Sequence, residues 1–169
     1  MNTFVILLFA TMNLLATIKS LSEKYCQDVI NFRRHFHINP ELSYQEYSTV
    51  KYVAQQLRSF GIEPKEGIAN TGLLAEIKGK NPKKTIALRA DMDALPIFEA
   101  NDVPYKSVNP GVMHACGHDV HTASLLGTAK ILNEVKDQFD GTVYNIIYIY
   151  IYVYIYIYIE CVQCCLEIS

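Results

Sequence analysis

Thr85-Ile86-Ala87-Leu88-Arg89-Ala90-Asp91-Met92-Asp93 is a compact apolar run that ends in two carboxylates, and Leu95-Pro96 closes it. Its length and apolar character fit a buried strand. In open α/β sheets, ligands bind beyond the carboxyl ends of such strands. Side chains at i and i+2 of an extended segment project to one side, so Asp91 and Asp93 are expected to point together. Two like charges held close in a partly buried place are costly unless a cation neutralises them. A strand-end turn with Asp as a helix cap is the structural alternative.

A second polar stretch, Val112-Met113-His114-Ala115-Cys116-Gly117-His118-Asp119, follows about twenty residues later, with His121 just beyond. Cys116 and His118 stand two apart around a glycine that permits a tight turn. By the same i, i+2 rule they can converge on one ion. Thiolate and imidazole suit zinc, or manganese or cobalt where oxygens complete the shell. The other reading is a buried structural cysteine with histidines nearby by chance. Three of the five histidines in the chain fall within residues 114–121, which favours the metal site. Two ligands do not make a site, so the remainder must come from elsewhere.

Around these stretches the period is helical first and strand-like afterwards. Ser20-x-x-Glu23 has capping-box spacing, and Tyr25, Val29, Phe32 and Phe36 form an apolar stripe up to Asn39-Pro40. His35 and His37 are candidate ligands, but their helical context makes a surface position the expectation. Ser43-x-x-Glu46 opens a second helix with Val50, Val53, Leu57 and Phe60 on one side and Gly61 as its cap. Residues 62–66 and 73–78 read as short strands, and Asn81-Pro82-Lys83-Lys84 as a hairpin-like turn. Asp119 is expected to cap a helix from Val120 to about Gln138 that turns Leu125, Leu126, Ala129, Leu132 and Val135 to the core. The 169 residues suffice for one core, and a net charge of -2 points to no nucleic-acid partner.

Pro40-Glu41-Leu42, Leu88-Arg89-Ala90-Asp91-Met92-Asp93-Ala94-Leu95-Pro96 and Pro110-Gly111-Val112-Met113-His114-Ala115-Cys116-Gly117-His118-Asp119 occur in that order. Together they resemble the metal-dependent amidohydrolases of the aminoacylase and carboxypeptidase superfamily. Within it they are most similar to indole-acetyl-amino-acid (auxin conjugate) hydrolases, hippurate hydrolases and N-acyl-amino-acid amidohydrolases. The resemblance covers about residues 24 to 143. It implies an α/β, zinc-peptidase-like catalytic domain, with helices packed on a mixed sheet and truncated before the lid or dimerisation domain. It implies Cys116 and His118 as metal ligands and two divalent ions per complete site, zinc or manganese, with cobalt a third candidate. Asp93 is carried over as a catalytic supporting carboxylate. Asp91 stands where the wider superfamily has a metal-binding His, and it is placed with His114 and Asp119 behind the ligands, where such groups fix an imidazole's tautomer. The implied reaction is hydrolysis of the amide bond of small-molecule N-acyl-amino acids, and complete relatives imply a homodimer.

The two ends of the chain break this pattern. Phe4 to Ala16 is a largely apolar run, and residues 1–20 are expected to be a secretory signal, although no Lys or Arg precedes the run. Secretion would place Cys26 in an oxidising compartment, and without a signal the chain would be cytoplasmic. Residues 21–143 form the catalytic part. Residues 144–169 are an aberrant Ile/Tyr repeat and a Cys-containing tail. The resemblance places a Gln-Pro-x-Glu-Glu segment with the general base after Gly141-Thr142-Val143, but Tyr148 to Ile159 alternates Tyr with Ile, Val153 excepted. An AT dinucleotide repeat encodes that alternation, so the segment is expected to be translated repetitive DNA. As a single alternating strand it gives no stable membrane span, and it is an aggregation hazard. Cys161-x-x-Cys164-Cys165 lacks the second pair of a zinc knuckle. The chain is therefore expected to be an incomplete, inactive hydrolase. The alternatives are a non-catalytic metal- or partner-binding remnant and, last, a magnesium phosphotransferase that uses an aspartyl nucleophile and leaves Cys116 and His118 unexplained.

Overall fold

A computed structural model describes residues 3–147, with side chains from Asn13 onward. The Ile/Tyr tract from Tyr148 and the cysteine tail lie outside the described residues. Helix α1 spans Thr3–Ile38 and α2 spans Tyr47–Ser59. Strands β1 (Lys65–Ile68), β2 (Gly72–Lys78) and β3 (Thr85–Ala90) follow, then α3 (His118–Glu134), a 3-10 turn at Lys136–Gln138 and β4 (Thr142–Ile147). The sheet order is β1-β2-β4-β3, antiparallel except for the parallel β3–β4 pair. This is an α/β fold, with helices packed on a mixed sheet.

Alternation puts one side of each inner strand into the core. Leu73, Ala75 and Ile77 of β2 join Val143 and Ile147 of β4 and Leu88 and Ala90 of β3. Phe32 and Phe36 of α1, Val50, Val53 and Leu57 of α2, and Leu125, Leu126 and Ala129 of α3 cover them. Helices α1 and α3 close on each other at Gly127, where an added Cβ would meet Val29 Cγ2 at 2.5 Å. Leu125, Leu126, Ala129 and Val135 are buried, and Leu132 packs against the core from its edge.

Several local expectations are corrected. Helix α1 runs unbroken through Ser20, so no capping box opens there. Ser43 does not cap α2 either: its hydroxyl donates to Asp93 Oδ2 at 2.5 Å. Glu41 does the capping, accepting from the Ser48 and Thr49 amides at 3.1 and 2.8 Å and from the Thr49 hydroxyl at 2.8 Å. The first strand begins at Lys65, after Ile62 has entered the core. Asn81-Pro82-Lys83-Lys84 makes no hairpin, because β4 inserts between β2 and β3. Strand β3 is an edge strand among the described residues, with Ile86 58% exposed instead of buried. Helix α3 starts at His118, with Gly117 at its N-cap in the left-handed region (φ 85°), so Asp119 lies inside the first turn.

Helix α3 is the crossover of a β3–α3–β4 unit, as parallel strands require. The chain leaves the carboxyl end of β3 at Asp91, loops over the molecule and enters α3 at His118. That loop is pinned by paired bonds between Leu95 and Met113 (3.0 Å each), by Ala94 N donating to Glu41 O (2.8 Å) and by Val108 N donating to Ile38 O (2.9 Å).

Candidate metal centre

Helix α3 presents different faces at successive positions of its first turn. His118 and His121, three apart, share one face, with ring centroids 5.5 Å apart. The Thr122 hydroxyl donates to Asp91 O at 2.7 Å and locks the end of β3 against that turn. One ligating atom each from Asp91, His118 and His121 then lies within 4.8 Å of the others. Arg89, two residues back on β3, pairs with Asp91 Oδ1 and leaves the second carboxylate oxygen for another partner.

Asp93 supports His118 from the other side. His118 Nδ1 lies 2.9 Å from Asp93 Oδ1 and 3.0 Å from Asp93 O. A carbonyl oxygen only accepts, so the ring proton sits on Nδ1 and the Nε2 lone pair is free to bind a cation. The Ser43 hydroxyl holds the second carboxylate oxygen of Asp93, which fixes the pair. A carboxylate oxygen with two imidazole nitrogens fits a borderline divalent ion such as zinc, manganese or cobalt. Cys116 is exposed on the approach to Gly117 and is not a member of the Asp91–His118–His121 group.

Behind this face lies a buried charged chain. Asp119, 1% exposed, accepts from Arg33 Nε at 3.0 Å and His37 Nδ1 at 2.8 Å. His37 Nε2 reaches Glu99 Oε1 at 3.0 Å, and the other Glu99 oxygen accepts the Ser107 amide at 2.7 Å. His37 is therefore no surface residue: loop 97–109 folds over it and leaves it 4% exposed. The Asp119 hydrogen bond raises the His37 pKa, burial opposes it, and Glu99 adds to the rise. Burial pushes the Asp119 carboxyl up, but His37, His114 and Arg33 together hold it below its ordinary value. His35 is half-buried and stacks on Tyr52 at 3.7 Å between ring centroids.

His114 completes the cluster with a different balance. It is 5% exposed, both ring nitrogens lack a hydrogen-bond partner, and burial lowers its pKa to about 4. The sequence reading missed two residues here. His37 sits on a stripe that looks solvent-facing until the loop covers it. His121 was visible beside the motif, three residues after His118, and that helical spacing was the signal that could have found it.

The fold brings Asp91, at the carboxyl end of β3, beside His118 and His121 of α3. Residues 87–150 match the model of Peptidase family M20/M25/M40. The chain is 55% identical over 116 residues to thermostable carboxypeptidase 2 of Saccharolobus solfataricus, covering 68% of this chain and 30% of that protein. It is 49% identical over 126 residues to the N-acyl-L-amino acid amidohydrolase of Geobacillus stearothermophilus, covering 75% and 34%. A solved Bacillus subtilis structure, described as a dinuclear metal binding peptidase from this family, superposes with a TM-score of 0.71 at 45% identity over 74% of this chain and 35% of that one. The chain carries the N-terminal part of a catalytic domain of Peptidase family M20/M25/M40. It spans about a third of the length of the curated relatives it matches.

Proposed function

We propose that this part of the chain supplies the ion-holding half of a hydrolase that cleaves the amide bond of N-acyl-amino acids. The observation that carries the reading is His118 at the start of α3, its Nδ1 held by Asp93, in a chain similar to the M20/M25/M40 family. Cys116 and His118 are the proposed ligands within a two-ion site of zinc, manganese or cobalt. When bound, divalent ions supply carbonyl polarisation and a water of lowered pKa. Asp93 and Ser43 orient the imidazole. Arg89 holds Asp91 beside it. The clamp of His37, Asp119 and Glu99 keeps the loop that carries Cys116 on the body of the domain.

The 169-residue polypeptide alone is not expected to turn over. Asp91 is paired with Arg89 and Asp93 with His118 and Ser43. Residues 144–159, where the resemblance places the general base, contain no carboxylate. A non-catalytic, ion-holding role is the second reading, and the same engaged carboxylates favour it. Assays with N-acetyl-amino acids and hippurate, with zinc, manganese or cobalt, are expected to give no hydrolysis for this polypeptide. A chimera carrying a relative's sequence after Val143 is expected to hydrolyse them, and His118→Ala is expected to abolish that activity. Turnover by the 169-residue chain overturns its proposed inactivity; an inert, folded, metal-loaded chimera overturns the hydrolase reading.

Secretory routing of residues 1–20 belongs to the same proposal. Among the described side chains before Leu21 none is buried, so cleavage near Ser20 leaves Tyr25, Phe32 and Phe36 in place. Among the described residues no helix is long and apolar enough to cross a membrane.

A further inference from the structure

We propose that loop 97–109 is a pH-operated strap, fastened over the end of α1 while His37 carries two ring protons and released as a unit when it loses one. This depends neither on hydrolysis nor on a bound ion.

The His37 ring is gripped from both ends by carboxylates on different parts of the fold. Nδ1 lies 2.8 Å from Asp119 Oδ2, and Nε2 lies 3.0 Å from Glu99 Oε1. Ionised carboxylate oxygens only accept, so both contacts close together only on the doubly protonated ring. A neutral ring keeps one N–H and turns a lone pair on the other carboxylate. Asp119 is the better anchored partner: it is 1% exposed in the first turn of α3 and also accepts Arg33 Nε and the Val120 amide, each at 3.0 Å. Glu99 takes its other bonds from within the strap, the Ser107 amide at 2.7 Å and Asn101 Nδ2 at 3.3 Å, so it moves with the strap. The remaining proton stays on Nδ1, and the Glu99 contact opens.

Little else fastens the strap. No residue of 97–109 belongs to the hydrophobic core, and Ile97, Phe98 and Val108 are exposed. Val108 N donates to Ile38 O at 2.9 Å, Asn109 Nδ2 donates to Pro40 O at 2.8 Å, and the Tyr105 ring lies under the Arg33 and Arg34 guanidinium groups at 4.9 and 5.1 Å. A charge-assisted, buried contact is the strongest fastening of that set. The two Leu95–Met113 bonds close the base of the loop and confine the motion above it. Arg33, Tyr105 and His114 also face the ring, from α1, the strap and the segment before α3. Arginine keeps its charge, and burial keeps His114 neutral by lowering its pKa to about 4. The Asp119 bond raises the His37 pKa, against burial and with help from Glu99. The fastening is therefore complete below 6.5 and is lost as pH rises through the folded value.

The test is hydrogen exchange of the full 169-residue chain from about pH 6 to about pH 9, read by segment with the intrinsic exchange rate divided out. Opening of 97–109 is expected to rise by up to about tenfold per pH unit above the folded pKa of His37, because one proton leaves. Strand β2 is expected to keep its protection over the same range. Glu99→Ala is expected to leave the strap open at every pH. Glu99→Gln is expected to remove the pH dependence, since its amide N–H can donate to a neutral Nε2 while its oxygen takes the Ser107 amide. Circular dichroism establishes that each variant remains folded. Wild-type exchange of 97–109 that does not change with pH overturns the proposal. So does a rise shared equally by β2, which is global unfolding, or a wild-type rise that persists in Glu99→Gln. None of these outcomes bears on hydrolysis by the chimera, so the two readings fail separately.

Discussion

The two sides of the first turn of α3 solve opposite problems with the same residue types. Behind it, Asp119 and His37 are buried, Glu99 and Arg33 are half-buried, and every charge meets another protein group. In front of it, Asp91 and His118 are part-exposed and His121 is exposed, one ligating atom of each lies within 4.8 Å of the others, and Arg89 pairs with Asp91. Neighbours in sequence, His118 and Asp119, fall on different sides because successive helical positions are about 100° apart. The buried side is scaffold, since its groups are consumed by one another. The open side keeps access to solvent, with Arg89 on Asp91 and Asp93 on His118.

The largest effect expected from breaking this contrast is on the buried side. Asp119→Ala strands His37 and Arg33 without their shared carboxylate oxygen and is expected to cost about 3–5 kcal/mol in urea unfolding. A loss below about 1 kcal/mol would show that the charged chain is not the scaffold described here.

Acid is expected to have the next largest effect, through His114. Its folded pKa is depressed from 6.5 to about 4, so protonation favours the unfolded chain. Its contribution is complete above 6.5 and is lost as pH falls toward 4, about 3 kcal/mol in all. His37 acts with the opposite sign: its raised pKa gives stability that is present below 6.5 and lost as pH rises through the folded value. Asp119 and Glu99, both lowered, contribute above their unfolded values near 4 and lose that contribution only in stronger acid. His114→Leu is therefore expected to flatten the stability profile of the metal-free chain between pH 6.5 and 4. An unchanged slope would assign that window to other groups.

Asn145 sharpens the contrast from within the core. It lies on β4 between Ala75 and Leu88, 1% exposed, with neither its oxygen nor its nitrogen bonded. A buried amide without partners costs about 1–3 kcal/mol, so Asn145→Leu is expected to raise stability by that order in the same unfolding assay. The smallest effect on stability belongs to the open side. His121→Ala is expected to change it by less than about 0.5 kcal/mol.

Much of the centre was legible along the chain. The β3 run and the Asp91-Met92-Asp93 ending could be located because apolar run length and carboxylate spacing are local properties, whereas the exposure of β3 at the sheet edge and the start of α3 at His118 could not. His37 could not be placed this way. The face it occupies on α1 becomes interior only when loop 97–109, more than fifty residues later, packs on it. The role of Ser43 was misread for a similar reason, because a capping pattern names an acceptor nearby and cannot see Asp93 arriving from another element.

By itself, then, the sequence determined the α/β class, the kinship of residues 87–150 with Peptidase family M20/M25/M40 and the two carboxylates beyond the end of β3. Tertiary structure alone decided that β4 separates β2 from β3, that His37 is clamped between two carboxylates and that His121 faces His118 and Asp91. Periodicity and motif spacing act over a few residues, where backbone geometry sets which side chains share a face. Strand order and the burial of charge depend on segments far apart in the chain, and only packing brings those segments together.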